Sequence, residues 1–187
     1  MMLSRALLPV VLLATITALA ACGTPSSGPS SPSGGAPTAS ESSEDKYADW
    51  QVINVRDVAE IRLPPDWTTR TNNMGTIMTP PNGVSIGGVI GASLGVSGDD
   101  SVEGIDHEAK EYAESSPYPP QRMDDLEVNG TRLFHLRGEQ ERFWRDDFGT
   151  LNEDYLITIG WQFVKADIDR DGADKLINEV MATFRPL

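Results

Sequence analysis

The chain has 187 residues, with 28 Asp and Glu against 15 Lys and Arg, and a formal net charge of −13. A chain this acidic repels phosphate backbones, which argues against nucleic acid as a partner, and it repels anionic lipid head groups in the same way. It has one cysteine, Cys22, so no disulfide forms within the chain and the folded part rests on its hydrophobic core alone.

The chain opens with one positive charge, Arg5, and continues as an apolar stretch from Ala6 to Ala21, interrupted only by Pro9. Small residues precede Cys22 and a polar tract follows it, which is the layout of a secretory signal peptide. The stretch is about 16 residues long, short of the ~20 that a membrane-spanning helix needs. Its ending, Leu19-Ala20-Ala21-Cys22, resembles the lipobox of bacterial lipoproteins. That resemblance implies removal of residues 1–21 and acylation of Cys22 as the first residue of the mature chain. It places the protein outside the cytoplasm, held to the cell membrane by the acyl chains on Cys22. A lone cysteine in an exported protein calls for a reason, and lipidation supplies one.

Residues 22–46 follow the cut site and are dominated by Gly, Ser, Pro, Thr, Ala and Glu. Such a tract buries too little apolar surface to offset its ordering entropy, so it reads as a flexible tether. Random-coil scaling gives it a reach of roughly 25–30 Å. A single globular domain is expected from Tyr47 to Leu187, with no internal repeat.

Trp50–Val55 is a β-rich run, and Ala59, Ile61 and Leu63 alternate with Glu60 and Arg62 as a half-buried strand. Pro64-Pro65-Asp66-Trp67 stops that strand. Met74–Thr79 is a short strand, Pro80-Pro81-Asn82-Gly83 a turn, and Val84, Ile86, Gly88 and Ile90 a further strand. Its glycines mark places where another group approaches closely. Asp100 and Glu103 are spaced as a capping box for a helix whose Val102, Ile105, Ala109, Tyr112 and Ala113 share one face. The proline-rich stretch Ser115–Gln121 ends it.

Leu126–Val128 and Thr131–Arg137 flank Asn129-Gly130, a strong hairpin signal. Arg142–Phe148 and Asp154–Val164 form a second strand pair. In the latter, Tyr155, Ile157, Ile159, Trp161 and Phe163 point to one face and Leu156 and Val164 to the other, so both faces are expected to be covered. The last helix carries a continuous apolar stripe, Ala173, Leu176, Ile177, Val180, Met181 and Phe184. Strands joined by tight turns give a largely antiparallel sheet, and the two helices need sheet faces to cover. The fold class is therefore α+β, a sheet flanked by helices.

Four features in this order resemble the PsbP-like α/β/α sandwich superfamily, and within it the LpqN-type lipoproteins of actinobacteria. They are Ile61-Arg-Leu-Pro-Pro-Asp-Trp67, the Pro81-Asn-Gly83 turn, the Val128-Asn-Gly130 hairpin, and the closing helix that ends Ala182-Thr-Phe-Arg185. They span nearly all of the domain. The resemblance implies the fold and little chemistry, because the family's members are mostly non-enzymatic accessory or binding proteins.

Three patterns bear on chemistry. Gly91-Ala92-Ser93-Leu94-Gly95 matches the G-x-S-x-G elbow of serine hydrolases, which needs a helix directly after the serine and a histidine base. Val96–Asp99 reads as a loop instead, and His107 and His135 are the only histidines, so a glycine-rich strand end is the better reading. Asp167-Ile-Asp169-Arg-Asp171-Gly172 matches the first half of a calcium loop, yet its twelfth position is Asn178 rather than a bidentate Glu. Asp171 is expected to cap the last helix, with Asp174 near its positive end. Asp167, Asp169 and Asp171 are the candidate metal ligands. Glu103, His107 and Glu111 lie a helical turn apart on the polar side of their helix and read as a solvated face. No cofactor is implied.

Phe143-Trp144-Arg145-Asp146-Asp147-Phe148 mixes aromatics with Arg and Asp in a way that suits a recognition edge, and Trp144, Arg145 and Asp146 are the candidate partner contacts. A packing role for Phe143 or Trp144 under the outer helix competes with it. The function expected is that of a lipid-anchored, non-enzymatic envelope module that binds an envelope protein, or a lipid or glycolipid. The alternatives are an esterase using Ser93 and a calcium module at 167–178.

Overall fold

Alternating apolar residues and turn-forming residues divide this chain into hairpins, and in the computed structural model every sheet pairing is antiparallel. The structure describes residues 46–81, 87–94 and 100–187. All belong to one unit, Ser40–Leu187. Cys22, the segment 1–21, the tether up to residue 45, the Asn82-Gly83 turn, Val84, Ile86 and Gly95 lie outside the described residues.

Strands β1 (Gln51–Val55) and β2 (Ala59–Leu63) form the first hairpin. Arg56 and Asp57 at its turn have φ of 53° and 59°. Positive φ at both positions matches the turn to the right-handed twist of the strands, and the Asn54 side chain accepts from Asp57 N at 2.8 Å to hold it there. Strands β3 (Thr68–Asn72) and β4 (Gly75–Thr79) form the second, and β5 (Gly88–Leu94) follows. Helix α1 spans Val102–Ser115. Then come β6 (Gln121–Val128), β7 (Thr131–Gln140), β8 (Phe143–Asn152) and β9 (Tyr155–Val164). Helix α2 (Arg170–Met181) and the two-residue β10 (Arg185–Pro186) close the chain.

A seven-stranded sheet in the order β3-β4-β5-β9-β8-β7-β6 forms the middle layer, and β1-β2-β10 form a second, three-stranded sheet. The main core joins the odd-numbered residues of β9 (Ile157, Ile159, Trp161 and Phe163) to Ile61 and Leu63 of β2 and to the stripe of α2. A smaller core lies on the opposite face, where Ile105 and Ala109 of α1 meet Phe134, Leu136 and Leu151, with Leu156 against them. The odd-numbered face of β9 is buried, while on the other face, expected to be covered as well, Leu156 packs on the smaller core and the alternate residues from Thr158 to Val164 stay partly exposed. The architecture is the α+β class expected, with a helix on each side of a largely antiparallel sheet. Among the described residues, no helix is long and apolar enough to cross a membrane.

Several boundaries differ from expectation. The polar strand Thr68–Asn72 has no apolar alternation to betray it, because it pairs with β4 on one side and is largely exposed. The second half of β8 continues through Gly149 and Thr150, where glycine is required: a Cβ at 149 would stand 2.3 Å from the Phe134 ring. Ser101, not Asp100, caps α1, its side chain accepting from Gly104 N at 3.1 Å. Asp169, not Asp171, caps α2, accepting from Gly172 N at 2.8 Å.

Candidate functional site

Strand β8 lies between β7 and β9, inside the large sheet. Consecutive residues of a strand face opposite sides. Asp146 therefore points toward α2 and Asp147 toward α1, and both are buried, at 1% and 2% exposure. Each carboxylate sits in a network of its own.

Asp146 Oδ1 accepts from Arg137 Nε at 2.9 Å and lies 2.7 Å from His135 Nε2. Arg170 Nη2 stands 2.6 Å from Asp146 Oδ2, an ion pair whose alignment falls outside hydrogen-bond geometry. Asp174 ties Arg137 to Arg170. Burial works to raise the Asp146 pKa, but the His135 hydrogen bond and the charges of Arg170 and Arg137 outweigh it and hold the carboxyl below its ordinary value. The His135 ring stacks on Phe148 at 4.3 Å. This network fastens α2 to β7 and β8.

Asp147 is held differently. Its Oδ2 accepts the Tyr118 hydroxyl. Its Oδ1 is 3.4 Å from the Tyr112 hydroxyl and 4.0 Å from Arg145 Nη2. The Arg145 guanidinium lies over the Tyr118 ring, 4.6 Å from its centroid. Burial dominates here and pushes the Asp147 carboxyl above its ordinary value, against the opposing pull of Tyr118 and Arg145. Burial and the adjacent carboxylate likewise push Tyr118 up to about 12 and raise Tyr112. Gly138 makes room for this cluster, since a Cβ there would sit 2.0 Å from the Tyr118 ring.

Beside the Asp147 cluster the sheet face carries a depression of about 200 Å³, bounded by Met74, Val89, Gly91, Tyr112, Arg145 and Gly160 among others. Gly160 is the cross-strand neighbour of Asp147. A Cβ at 160 would stand 2.7 Å from Asp147 Oδ1, so the glycine makes room for the buried carboxylate. Arg145 Nε is buried and has no hydrogen-bond partner among the described residues. Arg145 and Asp147 thus border a small recess, and a buried, charge-coupled carboxyl beside a cleft is a marker of functional sites.

Of the expected partner contacts, Trp144 is half-buried, donates from Nε1 to Ile168 O at 3.1 Å, and is faced by Lys165 and Arg170. Asp146 is locked in its own network, and the segment is an interior strand rather than a sheet edge. Arg145 alone of the three borders the recess.

Ser93 is exposed near the end of β5 and faces the α1 side. His135 faces the α2 side from β7, three strand spacings or about 14 Å away. His107 is exposed on α1 with Glu103 and Glu111, on the side away from Ile105 and Ala109. Among the described residues no hydrogen bond joins Ser93 to His135, which lies on the opposite face of the sheet, and His107 lies on the exposed side of α1. The calcium loop is not assembled: Asp169 caps, and residues 170–181 are helix, which places Asn178 well inside α2. Among the described residues, no group of three or more acidic, His or Cys side chains is placed to hold a metal.

The residues that escaped the sequence reading are Asp147, Tyr118 and Gly160. A signal for them exists: two adjacent acids in a strand with both faces covered must both be buried, and each then needs partners.

No protein-family model matches this chain, and no curated protein does. Among solved structures, it is similar to the solution structure of cyanobacterial PsbP (CyanoP) from Synechocystis sp. PCC 6803. The identity is 14%, the match covers 71% of this chain and 88% of that one, and the TM-score is 0.51. The fold is PsbP-like. A crystal structure from Bacteroides thetaiotaomicron VPI-5482 is also similar, at 15% identity over 69% of this chain and 45% of the other, with a TM-score of 0.45. The PsbP-like assignment rests on the first. Within this fold the recess opens on the α1 side of the central sheet, beside the β3–β4 turn.

Proposed function

We propose that this protein is a lipid-anchored, non-catalytic binding or accessory module of the cell envelope. Acyl chains on Cys22 hold it to the outer side of the cell membrane, and the tether 22–46 lets the PsbP-like domain reach an envelope protein, lipid or glycolipid. The observation that carries the reading is Leu19-Ala20-Ala21-Cys22, set between an apolar run and a polar tract. The PsbP-like fold fits an accessory role, since the family resemblance implies one. The placement of Ser93 and His135 on opposite faces of the sheet supports the non-catalytic half. The relation to LpqN-type lipoproteins belongs to the same proposal, as does the recess at Arg145 and Asp147 as the binding surface.

Metabolic labelling with a palmitate analogue tests the anchor. The wild-type chain incorporates label and sediments with membranes, whereas Cys22→Ala takes up no label and appears in the soluble fraction. A Cys22→Ala chain that still sediments removes the anchor reading. Crosslinking in intact cells from a photoreactive residue at position 89, on the rim of the recess, then captures the partner. The same yield from a photoreactive residue on the exposed side of α1 at position 107 removes the recess as the binding surface.

A further inference from the structure

We propose that a cavity on the outer face of the small sheet binds an oxyanion, a carboxylate or phosphate group carried on a body about the size of one sugar ring. It is a second surface, independent of the membrane anchor and of the recess beside Asp147.

The cavity holds about 380 Å³ and is bounded by Tyr47, Glu60, Arg62, Asn129, Thr183 and Arg185 among others. The strand register brings two arginines to it. Arg185 of β10 lies directly opposite Glu60 of β2, and Arg62 follows Glu60 by two residues. Cross-strand partners share a face, and so do residues two apart. All three side chains therefore leave the sheet on the side away from Ile61 and Leu63, which are in the main core. Diagonal neighbours of this kind stand roughly 7–8 Å apart, so one oxyanion between them reaches both guanidinium groups.

Both arginines are held in place. Arg185 Nε stands 2.8 Å from Oε1 of Glu60, which is 8% exposed. Arg62 Nη1 donates to Tyr47 O at 3.0 Å, and its backbone N donates to Thr183 Oγ1 at 2.8 Å. The Tyr47 contact is the one hydrogen bond of the Arg62 guanidinium among the described residues, and no carboxylate pairs with it there. A guanidinium carries five N–H donors, so Arg62 keeps several uncommitted. The other arginines without a carboxylate partner among the described residues, Arg56, Arg70 and Arg142, are exposed to water, whereas Arg62 is half-buried beside a cavity. Nearby carbonyls are already occupied: Val180 O accepts from Thr183 N, Met181 O from Phe184 N, and Phe184 O from Asn129 Nδ2 at 2.8 Å. The donors left to a ligand are those of Arg62.

Charge and size agree with this. Two arginines and one glutamate leave the cavity an excess of one positive charge, in a chain whose net charge is −13. Screening at physiological ionic strength acts over about 8 Å, so the local excess governs a small ligand more than the distant acids do. The planar fork of an arginine matches a carboxylate or a phosphate in two parallel hydrogen bonds. A volume near the lower end of the ~300–1,000 Å³ of ligand sites exceeds a bare ion and suits an oxyanion on a single ring.

The test is a titration of the full-length chain with glucose 6-phosphate, with glucuronate and with glucose, followed by NMR through the backbone amides of Glu60, Arg62, Thr183 and Arg185. The expected result is a saturable shift of these amides with at least one of the two acids, and the acid that binds more tightly tells phosphate from carboxylate. Glucose, which lacks the oxyanion, binds at least tenfold more weakly. Arg62→Gln weakens binding of the acid tenfold or more. Arg70→Gln removes the same charge from exposed β3 and changes binding less than twofold. Should Arg62→Gln fail to fold, the comparison of the acids with glucose decides by itself. No saturable shift with either acid overturns the proposal, as does glucose binding as tightly as the acids. Equal weakening by Arg62→Gln and Arg70→Gln also overturns it, because general charge then accounts for the binding. A lipidated chain that binds neither acid loses this site and keeps the accessory reading, and a chain that binds an acid but fails the labelling test does the reverse.

Discussion

Asp146 and Asp147 are neighbours in one strand, both buried, and their environments push them in opposite directions: Asp146 is held in its charged form by His135, Arg137 and Arg170, while burial favours the neutral form of Asp147. Removing a partner from a buried ion cluster leaves charges uncompensated and costs about 3–5 kcal/mol. Asp146→Asn is therefore expected to lose stability on that scale, measured by urea unfolding at pH 7. Asp147→Asn should lose clearly less, because asparagine keeps an acceptor for Tyr118 and removes a charge that burial disfavours. Equal losses in the two variants refute the distinction.

The same pair shapes the pH dependence. The folded-state pKa of Asp146 is depressed, so its contribution is present above the ordinary carboxyl value of ~3.9 and is lost as pH falls through the folded value. The folded-state pKa of Asp147 is raised, so its contribution is complete below ~3.9 and is lost as pH rises through the folded value. On acidification from neutral pH, Asp147→Asn should lack the relief that the wild type gains. Asp146→Asn should lack the steep loss at the acid end. Stability against pH for the three proteins, measured by urea midpoints, checks both signs.

Tyrosine titration reports on the Asp147 cluster from its other side. Tyr118 is pushed up to about 12 and Tyr112 is raised as well, each first by burial. The neutral phenols therefore contribute stability that is complete below the ordinary value near 10 and is lost as pH rises through the folded values. Phenolate absorbance should show a late phase that a Tyr112→Phe, Tyr118→Phe double variant lacks. A double variant with an unchanged late phase would contradict the placement of these rings. Tyr118→Phe alone removes a hydrogen bond to a charged group and should cost about 1.5–3 kcal/mol.

Much of this fold was legible in the sequence because its signals are local. The stripe of α2, the Asn129-Gly130 hairpin and the odd-numbered face of β9 each depend on residues close in sequence and stand where expected, except that α2 ends at Met181 and Phe184, expected on its stripe, reaches the core from beyond the helix. The polar strand Thr68–Asn72 was not legible, because only the partner β4 makes it a strand. The recess was legible in one part: glycines in the β5 run signal a close approach, and the Met74 carbonyl over Gly91 makes one. Its chemistry was hidden, because Asp147, Tyr118 and Gly160 meet only once β8, β9 and the chain after α1 are assembled. The Trp144-Arg145-Asp146 segment divides, since one strand sends alternate residues to two separate networks.

The caps offer the last test, and it separates two readings of one acidic run. Asp169 accepts from Gly172 N and begins α2, whereas Asp171 lies within its first turn. Losing an N-cap carboxylate costs about 1 kcal/mol, while losing an acid near the helix start costs about 0.3–1 kcal/mol through the dipole alone. Asp169→Ala should therefore be the more destabilising substitution, and Asp169→Asn, which retains a capping oxygen, should recover most of the loss. A cation site built on the same carboxylates predicts another order, in which asparagine fails to rescue and millimolar calcium raises the melting temperature of the wild type. Thermal melts of the three proteins with calcium and with chelator decide between capping and coordination: rescue by asparagine with calcium-independent melts is the outcome expected, and calcium-dependent melts would restore the cation site.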